Sequence, residues 1–189
     1  SLDQAVEAGY ANGYIAPLAQ TWGNLLETEH RLDNWTLPSI PNQQDFFTDR
    51  VMPLLAKSAQ QPRRVVVIIS DAFRYEAATE LTERINHKRY SQATLSSHVG
   101  VLPSYTTLGM ASLLPHTNLS YSPDGGDDVL VDGLSSQGTA ARNKILSQHG
   151  GKAFTAEEVQ SWSKDQGRQA VKDCYLVYIY HNTVDAVGD

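Results

Sequence analysis

The chain has 189 residues, 41% of them hydrophobic and 19% charged, with a formal net charge of −6. That length can bury the core of one domain with an appendage, and the acidic balance excludes a protein that coats nucleic acid by electrostatics alone. A single cysteine, Cys174, excludes an internal disulfide and points to a reducing, cytoplasmic setting, while the lack of any apolar run of about 20 residues leaves no membrane partner expected.

Residues 1–62 read as an N-terminal helical segment. Tyr10, Tyr14, Leu18, Trp22 and Leu25 recur every three or four positions and predict a helix from Leu2 to Arg31, which Pro17 and three glycines weaken. A proline-rich turn follows at Leu37-Pro38-Ser39-Ile40-Pro41-Asn42. A second helix, Gln43 to Gln60, carries Phe46, Phe47, Val51, Leu54 and Leu55 on its apolar side. Trp22, Trp35, Phe46 and Phe47 could line a groove, but aromatics at helical spacing more often pack into a core.

From residue 63 to 189 strands and helices alternate, which predicts a three-layer, mostly parallel α/β sheet. Val65-Val66-Val67-Ile68-Ile69 is an unbroken β-branched run that stops at Ser70-Asp71, and a helical pattern follows with Ala77, Ala78, Leu81 and Ile85 on one face. A carboxylate at the carboxyl end of a strand in such a sheet is placed to hold a metal ion; it is equally suited to cap the helix behind it. Tyr90 to Val99 reads as an extended, mostly polar strand.

Leu102-Pro103-Ser104-Tyr105-Thr106-Thr107 then runs into a helix that Pro115 ends. A hydroxyl at this helix start could serve as a nucleophile if a metal or base lowers its pKa, or simply as an N-cap. A turn at Pro123-Asp124-Gly125-Gly126, a short strand at Val129-Leu130-Val131, a helix from Gly138 to His149 and a brief strand at Lys152 to Phe154 come next. Thr155-Ala156-Glu157-Glu158 matches a capping box that opens another helix. The last strand, Cys174 to Tyr180, is apolar throughout, as strands covered on both faces are. It empties into His181-Asn182-Thr183-Val184-Asp185-Ala186-Val187-Gly188-Asp189, where Asp185 and Asp189 could share one helical face and one cation. His181 is either a further ligand or a strand-end histidine bonded to its neighbours.

Three of these segments together resemble the PglZ domain: Ile68-Ile69-Ser70-Asp71-Ala72-Phe73-Arg74-Tyr75-Glu76, Leu102 to Met110, and Tyr180 to Asp189. The resemblance covers residues 42–189. It implies the alkaline phosphatase superfamily and the Pgl and BREX bacteriophage-defence systems, with other proteins of those systems as partners and DNA as a further candidate. Superfamily members use two divalent metal ions about 4 Å apart. The resemblance places Thr106 as nucleophile and metal ligand, Asp71 as a ligand of one ion, and Asp185 and Asp189 on the other. Thr107 and Arg74 are candidate substrate-binding residues. Asp189 stands where phosphodiesterase members have histidine, which shifts the expected metals from zinc towards manganese or magnesium.

The superfamily's further Asp and His ligands fall beyond Asp189, so residues 63–189 read as the N-terminal part of the core, an incomplete fragment expected to be inactive alone. Two functions follow from the resemblance: a metal-dependent phosphoester hydrolase favouring diesters over monoesters, or a non-catalytic interaction module of a defence complex.

Overall fold

The computed structural model describes residues 1–58 and 63–188. The predicted end of the second helix at Gln60, the 62/63 boundary and Asp189 lie outside the described residues. The chain divides into two compact units, Ser1–Ile40 and Pro41–Asp189.

The first unit is a helix with one irregular turn. α1 (Leu2–Tyr10) passes through a π-helical turn (Ala11–Ile15) into α2 (Ala16–Thr28). The helix opens on a capping box in which the Ser1 hydroxyl accepts from the Gln4 amide and the Gln4 side chain reaches back. Its π turn ends two residues before Pro17, where a missing N–H and the ring disfavour a regular ladder. The helix stops at Thr28, before the expected Arg31, and His30 follows in the left-handed region. The stripe of Tyr10, Tyr14, Leu18, Trp22 and Leu25 is at least 50% exposed at every position. Core packing, expected for Trp22, is therefore not found. One helix and a short return leave too little surface to cover the stripe, although Trp22, Leu25 and Trp35 do line a small cavity of about 180 Å³.

In the second unit Asn42 caps a 3₁₀ turn (Gln43–Asp45), and a π turn (Phe47–Val51) leads into α3 (Met52–Ser58). Phe47 and Val51 point into the core while Leu54 stays exposed. The chain continues as β1 (Val65–Ser70), α4 (Tyr75–Asn86), α5 (Thr106–Ser112), β2 (Leu119–Tyr121), β3 (Val129–Val131), β4 (Leu134–Ser135), α6 (Gly138–Ser147), β5 (Gly151–Thr155), α7 (Ala156–Ser161), α8 (Lys164–Ala170), β6 (Leu176–His181) and α9 (Thr183–Gly188). β1, β6 and β5 form a parallel sheet in that order, and β2, β3 and β4 a separate antiparallel one.

The core gathers Phe47, Val51, Leu114, Val129, Val131, Leu146, Leu176 and Tyr178, all nearly or wholly out of solvent. Arg64 ties the entry of β1 to the chain before β6, Nε donating to the Cys174 carbonyl at 2.9 Å and Nη2 to that of Val171 at 2.6 Å. Cys174 is free and buried, as its apolar context predicts. β6 is buried at Leu176, Val177, Tyr178 and Tyr180, in keeping with its continuous apolar run.

Three local expectations need correction. The Val65–Ile69 run reads as a central strand, but β1 lies at an edge of the described sheet with β6 in the centre, and Val66 and Ile68 on one of its faces stay 49% and 67% exposed. α4 forms where predicted, but none of its residues is fully buried: Ala78 and Ile85 are only partly covered and Leu81 is exposed. Residues 90–99 form no strand; only Val99 bridges to Asn42. The reason is local: the Asn86 side chain takes both backbone groups of Ala93, accepting from its N–H at 2.7 Å and donating to its carbonyl at 3.1 Å. A side-chain amide has thus replaced the neighbouring strand.

Candidate functional site

Parallel register brings three strand ends to one edge. Ser70 pairs with His181 across β1 and β6, and Thr155 pairs with Tyr180 across β5 and β6. Residues just past the carboxyl ends of such strands line a crevice. Here that crevice is a cavity of about 200 Å³ whose wall includes Asp71, Thr106, Thr139, Arg142, Tyr180 and His181.

Asp71 follows directly on β1, and its backbone N–H extends the ladder by donating to the His181 carbonyl at 3.0 Å. Ala72 then turns in the left-handed region at φ 54°, while the Asp71 carboxylate accepts from the Ala72 N–H at 3.0 Å. Asp71 does not cap α4: the cap position is Arg74, which supplies no side-chain bond. The cap alternative for the carboxylate is thereby removed, and the half-buried side chain faces the cavity.

Thr106 reaches the same cavity from α5. It is the first helical residue, and Tyr105 holds the cap position without a side-chain bond. Neither threonine is therefore the N-cap. The exposed Thr106 hydroxyl has no hydrogen-bond partner among the described residues, so nothing in the fold occupies it. Tyr178, wholly buried in β6, donates its hydroxyl to the Leu113 carbonyl at the other end of α5 at 2.9 Å, which anchors that helix to the central strand.

His181 ends β6 with its Nδ1 2.8 Å from the Ser70 hydroxyl, which matches the neighbour-bonded alternative for a strand-end histidine. Thr107 lies half-buried on α5, Arg74 is exposed at the start of α4, and Asp185 is half-buried on α9; none of the three belongs to the cavity wall. Among the described residues, no three His, Cys, Asp or Glu side chains come together as a metal centre. Asp71 and Thr106 offer hard oxygen donors, suitable in kind for a divalent cation but too few to hold one alone.

Sequence reasoning missed Arg142 and Tyr180. Arg142, on α6, donates from Nε to the Ser136 carbonyl at 2.9 Å and lays its guanidinium 4.6 Å from the centre of the Tyr180 ring. Burial lowers its pKa, against the opposing pull of the Tyr180 hydroxyl and the Asp71 carboxylate. Burial pushes Tyr180 upward, with the guanidinium opposing. The two-residue alternation of Tyr178 and Tyr180 could have put both on one face of β6. Nothing in the pattern of α6 marks Arg142, because the neighbour it faces is a matter of packing.

Comparison with known proteins identifies the family. Residues 46–189 match the model of the BREX system PglZ alkaline phosphatase-like domain. The whole chain is 46% identical to the alkaline phosphatase-like protein BrxZ of Escherichia coli O9:H4 (strain HS), over 22% of that protein. It is 36% identical to the alkaline phosphatase-like protein PglZ of Bacillus cereus (strain H3081.97), again over 22% of the relative's length. The chain thus spans about a fifth of these curated relatives. No solved structure matches it. With a family model matching residues 46–189, most of its length, the chain belongs to the PglZ alkaline phosphatase-like family of BREX systems.

Proposed function

We propose that this chain supplies part of the active site of a metal-dependent phosphoester hydrolase, acting in the cytoplasm within a BREX-type bacteriophage-defence complex and favouring diesters over monoesters. Residues 63–189 are its N-terminal part of the alkaline-phosphatase-like core, and residues 1–62 a helical segment before it. The observation that carries the reading is that Asp71 and Thr106, on separate elements and far apart in sequence, line one cavity at the carboxyl ends of parallel strands.

In this reading Asp71 and the Thr106 oxygen bind one of two divalent ions, and Asp185 and Asp189 bind the other. The remaining ligands come from outside the described residues. When bound, the ions neutralise phosphoryl charge and favour the deprotonated threonine. The Thr106 hydroxyl would lose its proton to solvent, its oxygen would form a bond to phosphorus as the bond to the leaving alkoxide breaks, and the alkoxide would take a proton from water. Water then cleaves the phosphothreonine and regenerates the hydroxyl. Thr107 and Arg74 assist binding of the substrate, with DNA a candidate among its diesters.

The second reading, a non-catalytic module that binds other defence proteins, is favoured by the absence of a complete ligand cluster among the described residues. Hydrolysis of bis-p-nitrophenyl phosphate by the full-length protein, with manganese, zinc or EDTA, separates the two. Thr106→Ala should lower turnover on the order of 10³-fold or more, as loss of a nucleophile does. Thr106→Ser should keep partial activity, and Thr107→Ala most of it. EDTA and Asp71→Ala should both abolish the signal. Hydrolysis with no metal, or full activity in Thr106→Ala, would refute the hydrolase as described; no hydrolysis with any metal would favour the module.

A further inference from the structure

The fold uses its arginines in two ways. Arg64 spends its fork on main-chain carbonyls, with Nε and Nη2 both engaged, and is a structural clamp. Arg142 is held at one nitrogen only: Nε donates to Ser136, while Nη1 and Nη2 have no hydrogen-bond partner among the described residues. It is the one Lys or Arg side chain in the wall of the Asp71–Thr106 cavity. Asp71 is close enough to act on its charge, yet no carboxylate lies within 4.0 Å of the guanidinium.

A half-buried, un-neutralised guanidinium is expensive unless something anionic completes it. The Tyr180 ring and the Ser136 carbonyl fix its plane, so little side-chain freedom remains to be lost when an anion binds. Tyr180 adds a second incomplete group: it is 7% exposed, and its buried hydroxyl has no partner. Two unfinished polar groups beside an unpartnered threonine hydroxyl, in a wall that also holds the carboxylates of Asp71 and Glu157, describe a site whose missing occupant carries negative charge at the guanidinium end.

We propose that Arg142 binds the two non-bridging oxygens of the substrate's phosphoryl group through Nη1 and Nη2, and that Tyr180 positions it for that contact through its ring. The inference rests on the hydrolase reading and adds to it a residue that touches substrate. The fork would hold two phosphoryl oxygens while the third face of the group meets the Thr106 hydroxyl. The free acid that follows hydrolysis, inorganic phosphate or a monoester, would bind in the same place.

The test uses the full-length protein with inorganic phosphate as probe, in wild type, Arg142→Ala, Arg142→Lys and Thr106→Ala. Phosphate binding is followed by titration calorimetry, and KM and kcat with bis-p-nitrophenyl phosphate. Arg142→Ala should weaken phosphate roughly ten- to a hundredfold, the loss expected for a charge-assisted hydrogen bond. Arg142→Lys should fall between it and wild type, because a point charge replaces the fork. Thr106→Ala should bind phosphate about as tightly as wild type, and adding Arg142→Ala to it should weaken binding by the same factor. That arm needs no turnover: Arg142-dependent phosphate binding without hydrolysis would keep the anion site while the hydrolase reading fails. Turnover with phosphate affinity, KM and kcat unchanged in both Arg142 variants would overturn the proposal and leave the hydrolase standing. If Arg142→Ala fails to fold, wild-type affinity in Arg142→Lys, with its fork removed, overturns the proposal as well.

Discussion

Tyr178 and Tyr180 lie two residues apart on β6, with ring centres 6.3 Å apart, and deleting each hydroxyl should have opposite effects. The Tyr178 hydroxyl donates to the Leu113 carbonyl at 2.9 Å, and its side chain is fully buried. Tyr178→Phe leaves that carbonyl without its donor and should destabilise the chain by about 1–3 kcal/mol, the range for a buried group left unsatisfied. At about 2–4 °C per kcal/mol for a domain of this size, the melting temperature should fall by several degrees. The Tyr180 hydroxyl is equally buried but unpartnered, so the native state already carries the cost of its desolvation. Tyr180→Phe should therefore be neutral or stabilising by up to about 1–2 kcal/mol, and its ring remains to support Arg142. Urea unfolding of both variants of the 189-residue chain, followed by circular dichroism, reads the two signs directly. If Tyr180→Phe costs as much as Tyr178→Phe, the Tyr180 hydroxyl has a partner and its description as unfinished is wrong. If Tyr178→Phe is neutral, the bond to Leu113 does not anchor α5.

Two further outcomes test the scaffold. His98 is held below its ordinary pKa of 6.5 by burial first and by the nearby Arg50 second, with Asp49 opposing. The unfolded chain therefore takes up the proton first, and stability present above pH 6.5 should be lost as pH falls from there towards the folded value. Urea midpoints at pH 7.5 and 5.5 should differ less in His98→Gln than in wild type; parallel declines would acquit His98. Asp132 follows β3 with φ 49° and accepts from the N–H groups of Thr117, at 3.0 and 3.1 Å, and Asn118, at 2.7 Å. Asp132→Ala should cost about 1–3 kcal/mol, and a urea midpoint equal to wild type would show that water replaces the carboxylate without loss.

The sequence marked Asp71 and the Thr106-Thr107 pair because each is announced by a local event, and the family resemblance singled out Thr106 of the two; the structure puts Asp71 and Thr106 in one cavity wall. Asp71 ends a β-branched run, and Thr106 begins a helix after a proline-led loop, so strand end and helix start were legible without knowing what packs on what. The long apolar β6 run likewise announced a strand covered on both faces. Local chemistry could also deceive. Residues 90–99 look extended, but Asn86 was already placed to satisfy Ala93, and a side chain many residues from its partner leaves no periodic trace. The stripe on α1 and α2 is apolar at helical spacing whether or not a partner exists to cover it, so periodicity predicted the helix correctly and its burial wrongly.

What the sequence determined by itself was the alternation of elements, their approximate limits and the residue types at strand ends, all properties of short windows. Tertiary structure alone decided the rest. Parallel register set Asp71 beside His181, the packing of α5 delivered Thr106 to the same edge, and the seating of α6 turned Arg142 over Tyr180 rather than into solvent. Those placements depend on which face of each element meets which neighbour, a long-range choice that hydrophobic burial makes for the molecule as a whole.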